Sequence, residues 1–207
     1  MAIVKQQPIQ QTSVDERQRS RDLPGLIAEL EAEDPAARRW AARDLSEHPS
    51  SVLALVGRLK CENDSSVREA ILTTLTCLGD KAAVAGLVEC LRSEDVALRN
   101  EVIEAMKQLP EEVAPIMGEL LADTDPDVRI FAVNILESLR HPLVESWLIG
   151  VIQNDSHINV CATAVDLLGE VGSSSSREAL KSLKSRFPDD PYICFAADLA
   201  LKRINED

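Results

Sequence analysis

Six aromatic side chains and eight glycines in 207 residues leave little material for a β-sandwich or barrel. Strands of that kind draw on aromatic and β-branched residues, and their turns draw on glycine. The scarcity of glycine also leaves little room for a loop that cradles a phosphate or a dinucleotide. No apolar run approaches the ~20 residues of a membrane span; stretches such as 147–152 are far shorter. The N-terminal MAIVKQQPIQ lacks the charged segment and long apolar stretch of a signal peptide. The five cysteines, Cys61, Cys77, Cys90, Cys161 and Cys194, are odd in number, irregularly spaced and without a CxxC pair. That pattern suits reduced thiols in a cytoplasmic protein. The three histidines, His48, His141 and His157, lie far apart with no HExxH or HxxxH spacing. Neither a metal site nor a cofactor is therefore expected, and no Cys–His pairing suggests nucleophilic catalysis.

Positive charge is the other shortage. Lys and Arg number 22 against 35 Asp and Glu, a net charge of −13. Such a chain repels a phosphate backbone unless its cations are segregated on one face, so neither nucleic acid nor an anionic membrane is an expected partner. What is present is enough for a folded body: 45% hydrophobic and 28% charged residues. Residues 1–21 are polar and rich in glutamine, with no helical apolar stripe, and read as a flexible arm. Through Asp22 this segment carries Lys5, Arg17, Arg19 and Arg21 against Asp15, Glu16 and Asp22, so the acidity resides in residues 22–207.

That body repeats itself. DPAARRWAARDL at 34–45 recurs as DSSVREAILTTL at 64–75, DVALRNEVIEAM at 95–106 and DPDVRIFAVNIL at 125–136. Looser copies follow at 158–168 and 190–201. With the arginine as position zero, the column runs Arg38, Arg68, Arg99, Arg129, Cys161, Cys194, at intervals of 30 to 33 residues. Apolar residues hold positions −1, +3, +7 and in most copies +10, steps that place them on one helix face. A second amphipathic segment precedes each copy, at 23–33, 51–61, 82–93, 112–122, 142–153 and 176–187. The unit is thus helix A, a tight corner, and helix B. Asp34, Asp64, Asp95, Asp125 and Asp190 stand four residues before the zero column, where a carboxylate caps helix B. Pro35, Pro126 and Pro191 follow at the first helical position, and Gly79 and Gly172 stand where helix B should stop.

These residues resemble the short HEAT-like repeats of the phycobilin (PBS) lyase type, whose consensus runs roughly Asp-Pro-x-Val-Arg-x-x-Ala-x-x-x-Leu. Asp125-Pro126-Asp127-Val128-Arg129 through Leu136 matches it almost residue for residue. The resemblance implies an all-α, right-handed α-solenoid of about six helical hairpins over residues 22–207. A hairpin of ~30 residues cannot bury its own apolar face, so hairpins stack and share a core. The aspartates and arginines of the corner, Asp34 with Arg38, Asp64 with Arg68, Asp95 with Arg99 and Asp125 with Arg129, are expected to form a structural ladder along one edge.

In HEAT proteins the B helices line the concave surface. The outward B positions +1 and +5 then hold Arg39, Arg43, Glu69, Thr73, Asn100, Glu104, Ile130, Asn134 and Asp166, with Trp40 and Phe131 beside them. Exposed aromatic and branched residues there are candidate binding hot spots; packing between repeats is the other reading of Trp40 and Phe131, and packing under the last repeat that of Phe195. The absence of convergent catalytic groups points to a non-catalytic protein-interaction module, an adaptor, assembly or regulatory factor, gripping a protein of basic or mixed surface. Two enzymatic relatives of the fold are disfavoured: no His-Glu dipeptide is present for a deoxyhypusine hydroxylase, and the acidic body does not suit a DNA glycosylase. The alternative implied by the resemblance is a bilin lyase-like subunit that attaches or detaches a tetrapyrrole at an acceptor cysteine, usually as one of a pair of HEAT chains.

Overall fold

Every aspartate expected to open a helix B does so. Asp34 Oδ1 accepts the Ala36 N–H at 3.0 Å, and Asp64 accepts those of Ser66 and Val67. Asp95 accepts from Ala97 and Leu98, Asp125 from Asp127, and Asp190 from Ile193. The computed structural model describes residues 22–206, with side chains through residue 204; the expected arm, 1–21, lies outside the described residues.

Six hairpins follow in order. The first is α1 (Leu23–Glu29) and α2 (Pro35–Asp44), and the second α3 (Val52–Leu59) and α4 (Ser65–Leu78). The third is α5 (Lys81–Cys90) and α6 (Val96–Met106). In the fourth, helix A comes in two pieces, α7 (Pro110–Val113) and α8 (Met117–Leu121), before α9 (Pro126–Leu136). The fifth is α10 (Val144–Asn154) and α11 (Ile158–Val171), and the sixth α12 (Arg177–Arg186) and α13 (Pro191–Glu206). No strand occurs among the described residues. The break in the fourth helix A corrects the expectation of one continuous segment there. Pro115 sits in the 3-10 turn Ala114–Ile116, where its missing N–H and its ring are incompatible with an α-helical interior.

The hairpins stack. Successive B helices pack more extensively than successive A helices at the first junction and the last two. The core is the set of columns read from the sequence. At +7, Leu45, Leu75, Met106, Leu136 and Leu168 are all within 1% of complete burial, and at +3 six small or branched residues are at 0%. Position +10 is less regular: Leu109 and Leu139 are buried, but Val171 is 43% exposed because α11 ends on it. Thr74 in α4 donates a buried hydrogen bond of 2.8 Å to the Ala42 carbonyl of α2, tying two B helices across a junction.

Two helix ends show different uses of glycine. Gly79 closes α4 with φ +55°, the left-handed cap that a side chain disfavours. Gly172 closes α11 in extended backbone, and its requirement is space, since an added Cβ would come within 2.5 Å of the Leu168 carbonyl. A third glycine sets a helix separation. A Cβ on Gly86 of α5 would lie 2.3 Å from Val56 Cγ2 of α3, whereas one on Gly57 or Gly150 meets nothing within 4 Å. Gly86→Ala is therefore expected to destabilise by about 1–3 kcal/mol. Gly150→Ala, freed of the entropy that glycine loses in a helix, is expected to stabilise by about 0.5–1 kcal/mol. Urea unfolding of the two variants would show shifts of opposite sign; two shifts of one sign would refute the packing assigned to Gly86.

The corner arginines depart from the expected ladder. Arg68 does bond the next cap, Asp95, at 2.7 Å, and also pairs with Glu101 at 3.0 Å. Arg38 instead makes a bidentate bond to Glu62 (2.7 and 2.8 Å), and Arg129 does the same with Asp155 (2.6 and 3.0 Å). Arg99 bonds the Ser93 carbonyl and lies 5.6 Å over the Phe131 ring, without a cap aspartate. The acid chosen by Arg38 and Arg129 stands two residues before the cap position. It is the better partner because it is less exposed: the Glu62 side chain is 1% exposed and that of Asp155 7%, against 46% for Asp95. It also accepts the N–H of the residue two further on, as Glu62 does from Asp64, Asp123 from Asp125, and Asp155 from His157. Burial alone would raise the Glu62 carboxyl, but bonds from Arg38, the Asp64 amide and Arg58 outweigh it and hold the group at about 2.

Where the zero-column arginine is lost, another takes over. Arg38 and Arg129 also donate to carbonyls that close their own corners, those of Ala32 and Glu33 and of Asp123. In the fifth hairpin the zero residue is the buried Cys161, and Arg186 from α12 donates to the Ile152 and Asp155 carbonyls instead.

Candidate functional site

The B helices carry the residues singled out on the outward face, and the structure sorts them into three groups. Glu69, Thr73, Asn100 and Glu104 come together along an open groove of about 630 Å³ between α4 and α6, with Ser65, Thr76 and Gln108 at its margins. All four are exposed. Lys107 spans from Glu104 to Glu137 of the next hairpin at 3.0 Å each, and these bonds raise the Lys107 ammonium above its ordinary range against the opposing effect of burial. Asn134 and Asp166 face each other in a second groove of about 240 Å³ between α9 and α11, with Glu137 and Glu170. Asp166 accepts a 2.6 Å bond from the Tyr192 hydroxyl, which holds the phenol above its usual range.

Ile130 and Phe131 belong to a different group. Both are half-buried against the core, and Phe131 lies under the Arg99 guanidinium. Position +2 faces the preceding hairpin, as Glu101 also does toward Arg68. For Phe131 the arrangement agrees with packing between repeats, and Ile130, at +1, is likewise half-buried. Trp40 occupies the same +2 column in the first hairpin, where no earlier hairpin is described, and it is 47% exposed with Arg39 and Arg43 beside it. At the other end of the face Tyr192, Phe195 and Leu199 are exposed on α13, with Phe195 at 65%, so Phe195 is not tucked beneath the last repeat. The shielded acids of the corner were not expected from the sequence; their signal was a column holding Glu62, Asp123 and Asp155.

Among the described residues no group of three His, Cys, Asp or Glu side chains could hold a metal, and no helix is long and apolar enough to cross a membrane. Burial raises the Cys90 and Cys161 thiols, which disfavours their reactive thiolates. Cys61 and Cys77 are exposed. What the face offers chemically is a row of polar and acidic grooves, closed at its first hairpin by an aromatic flanked by two cations.

Residues 23–107 and 113–202 match the family model for HEAT repeats. The chain is 31% identical over 175 residues to the bilin biosynthesis protein PecE of Mastigocladus laminosus, an alignment covering 82% of this chain and 61% of that protein. It is 30% identical over 174 residues to PecE of a Nostoc strain, covering 82% of this chain and 65% of the relative. The chain thus spans under two thirds of the length of either. Among solved structures it is similar to the complex of CpcE and CpcF of phycocyanin lyase from Nostoc, at 18% identity and a TM-score of 0.37, over 98% of this chain and 100% of that one. The expectation of a non-catalytic module is corrected here: these two relatives, aligned along the repeats, are named for bilin biosynthesis, not for adaptor roles.

Proposed function

The chain belongs to the HEAT-repeat family, and from that premise we propose that it is a bilin lyase-type subunit, holding a linear tetrapyrrole and an acceptor protein so that a cysteine thiol of the acceptor joins the chromophore. The observation that carries this reading is the 31% identity to a bilin biosynthesis protein over 82% of the chain. The chemistry suits the architecture. Adding a thiol across an exocyclic carbon–carbon double bond forms one C–S bond and places the thiol proton on the neighbouring carbon, with no oxidant consumed. Such a step gains most from orientation of two bound reactants, and a rigid stack with grooves along one face supplies orientation. The acidic grooves around Glu69, Glu104 and Asp166 favour an acceptor presenting a basic or mixed surface. A second HEAT-type chain works beside this one, as the resemblance to the lyases implies.

Reconstitution tests the proposal. The full chain, alone and with a second lyase-type HEAT chain, is mixed with phycocyanobilin and an apo-phycobiliprotein, and covalent bilin is read by zinc-induced fluorescence on a denaturing gel. Adduct should form, and its rate should fall when this chain is omitted; an unchanged rate refutes the proposal. Reversing Glu69, Glu104 and Asp166 to lysine together should slow adduct formation roughly tenfold through weaker acceptor binding, with the melting temperature little changed.

A further inference from the structure

Positive charge is scarce in this chain, and much of it in the middle of the stack is neutralised where it stands. Arg58 pairs with Glu62, Arg92 with Asp123, and Arg129 with Asp155. The first hairpin differs. Arg39 and Arg43, one turn apart on α2, form no ion pair among the described residues. Arg39 Nε is buried without a hydrogen-bond partner, and the Arg43 guanidinium lies 5.3 Å from the Trp40 ring centroid. The ring itself is 47% exposed. In the third and fourth hairpins the +2 residue meets the arginine of the hairpin before it, Glu101 pairing with Arg68 and Phe131 lying under Arg99. Trp40 has no such cover among the described residues.

We propose that Arg39, Trp40 and Arg43 form a binding site for a flat, conjugated ligand bearing carboxylates. The ligand's ring system stacks on the indole, and its carboxylates pair with the two guanidiniums. Resting on the lyase reading above, the ligand is the linear tetrapyrrole, which carries two propionates on an extended conjugated chain. Charge selects the location. An anionic ligand is repelled by the acidic grooves of the second to fifth hairpins and drawn to the end of the face where two arginines remain unpaired. Stacking on a half-exposed tryptophan adds attraction that an aliphatic surface lacks, and a guanidinium already seated over the ring presents its edge donors to a carboxylate. The site leaves the grooves around Glu69 and Asp166 free for the acceptor, so chromophore and acceptor occupy adjoining parts of one face.

The test is a titration of the full chain with biliverdin, followed by bilin absorbance and induced circular dichroism. Trp40→Ala and Arg43→Gln are each expected to weaken binding about tenfold, and Trp40→Phe less than Trp40→Ala. Added salt should weaken the parent more than Arg43→Gln, since one ion pair is already gone. Melting curves confirm that the variants fold, as both side chains contact solvent. Biliverdin held equally by the parent and both variants overturns this site and leaves the lyase reading intact. A parent that does not take up biliverdin overturns the site as well. Failure of the reconstitution overturns the lyase reading itself, whichever way the titration falls.

Discussion

Arg38→Ala is expected to destabilise the protein by about 3 kcal/mol. Arg38 is 7% exposed and makes two bonds to Glu62, and two more to the carbonyls of Ala32 and Glu33. Its removal strips a buried carboxylate of its main partner and leaves two corner carbonyls short of a donor. Arg58, at 2.9 Å from the same carboxylate, and the amides of Asn63 and Asp64 remain, which keeps the loss below that of a fully orphaned charge. The pH dependence carries a second signature. Glu62 titrates near 4.5 in the unfolded chain and near 2 when folded. A depressed carboxyl contributes stability that is fully present above the unfolded value and is lost as pH falls toward the folded one. The acid limb of the stability curve between about pH 4.5 and 2 should therefore be steep in the parent and flatter in Arg38→Ala. Denaturant unfolding at a series of pH values measures both. A loss under ~1 kcal/mol with an unaltered acid limb would mean that the corner pair is solvated and inert.

The second large effect lies in the apolar column. Leu75→Ala should lose about 3–4 kcal/mol and Leu201→Ala no more than half of that. Both stand at +7, and both would be equal if burial followed sequence position alone. Leu75 is at 0% exposure, with hairpins stacked on both sides, so deleting its methyl groups leaves a cavity that neighbouring helices cannot fill. Leu201 packs only partly against the core, on the last described helix. Solvent reaches part of the vacated space, and less transfer energy is lost. Equal losses at the two positions would contradict the difference in their burial.

The helical hairpins, their number and their caps were legible because each rests on neighbours in sequence. An aspartate reaches an amide two or three residues on, and an apolar residue recurs every three or four. The B-face residues were legible for the same reason: Glu69, Thr73, Asn100 and Glu104 share an outward face by helical periodicity, and a groove does form among them. The bilin connection was readable only as an alternative, since orientation-driven chemistry leaves no cluster of catalytic side chains for a motif to record. The interruption at Pro115 is signalled in the sequence by the proline alone, because the apolar pattern around it stays helical.

What the sequence by itself determined is therefore the unit: where each hairpin opens, turns and closes, and which stripe it buries. What only the tertiary structure decided is how units meet. Arg38 finds Glu62 rather than a cap aspartate, Arg186 serves the corner that Cys161 cannot, Phe131 is sheltered by Arg99, and Trp40 stays open. Local rules act through three or four residues of backbone geometry. These partners lie roughly thirty residues apart, and the choice between the cap aspartate and the acid two residues before it depends on which is dried by the next hairpin, a quantity that exists only once the hairpins have stacked.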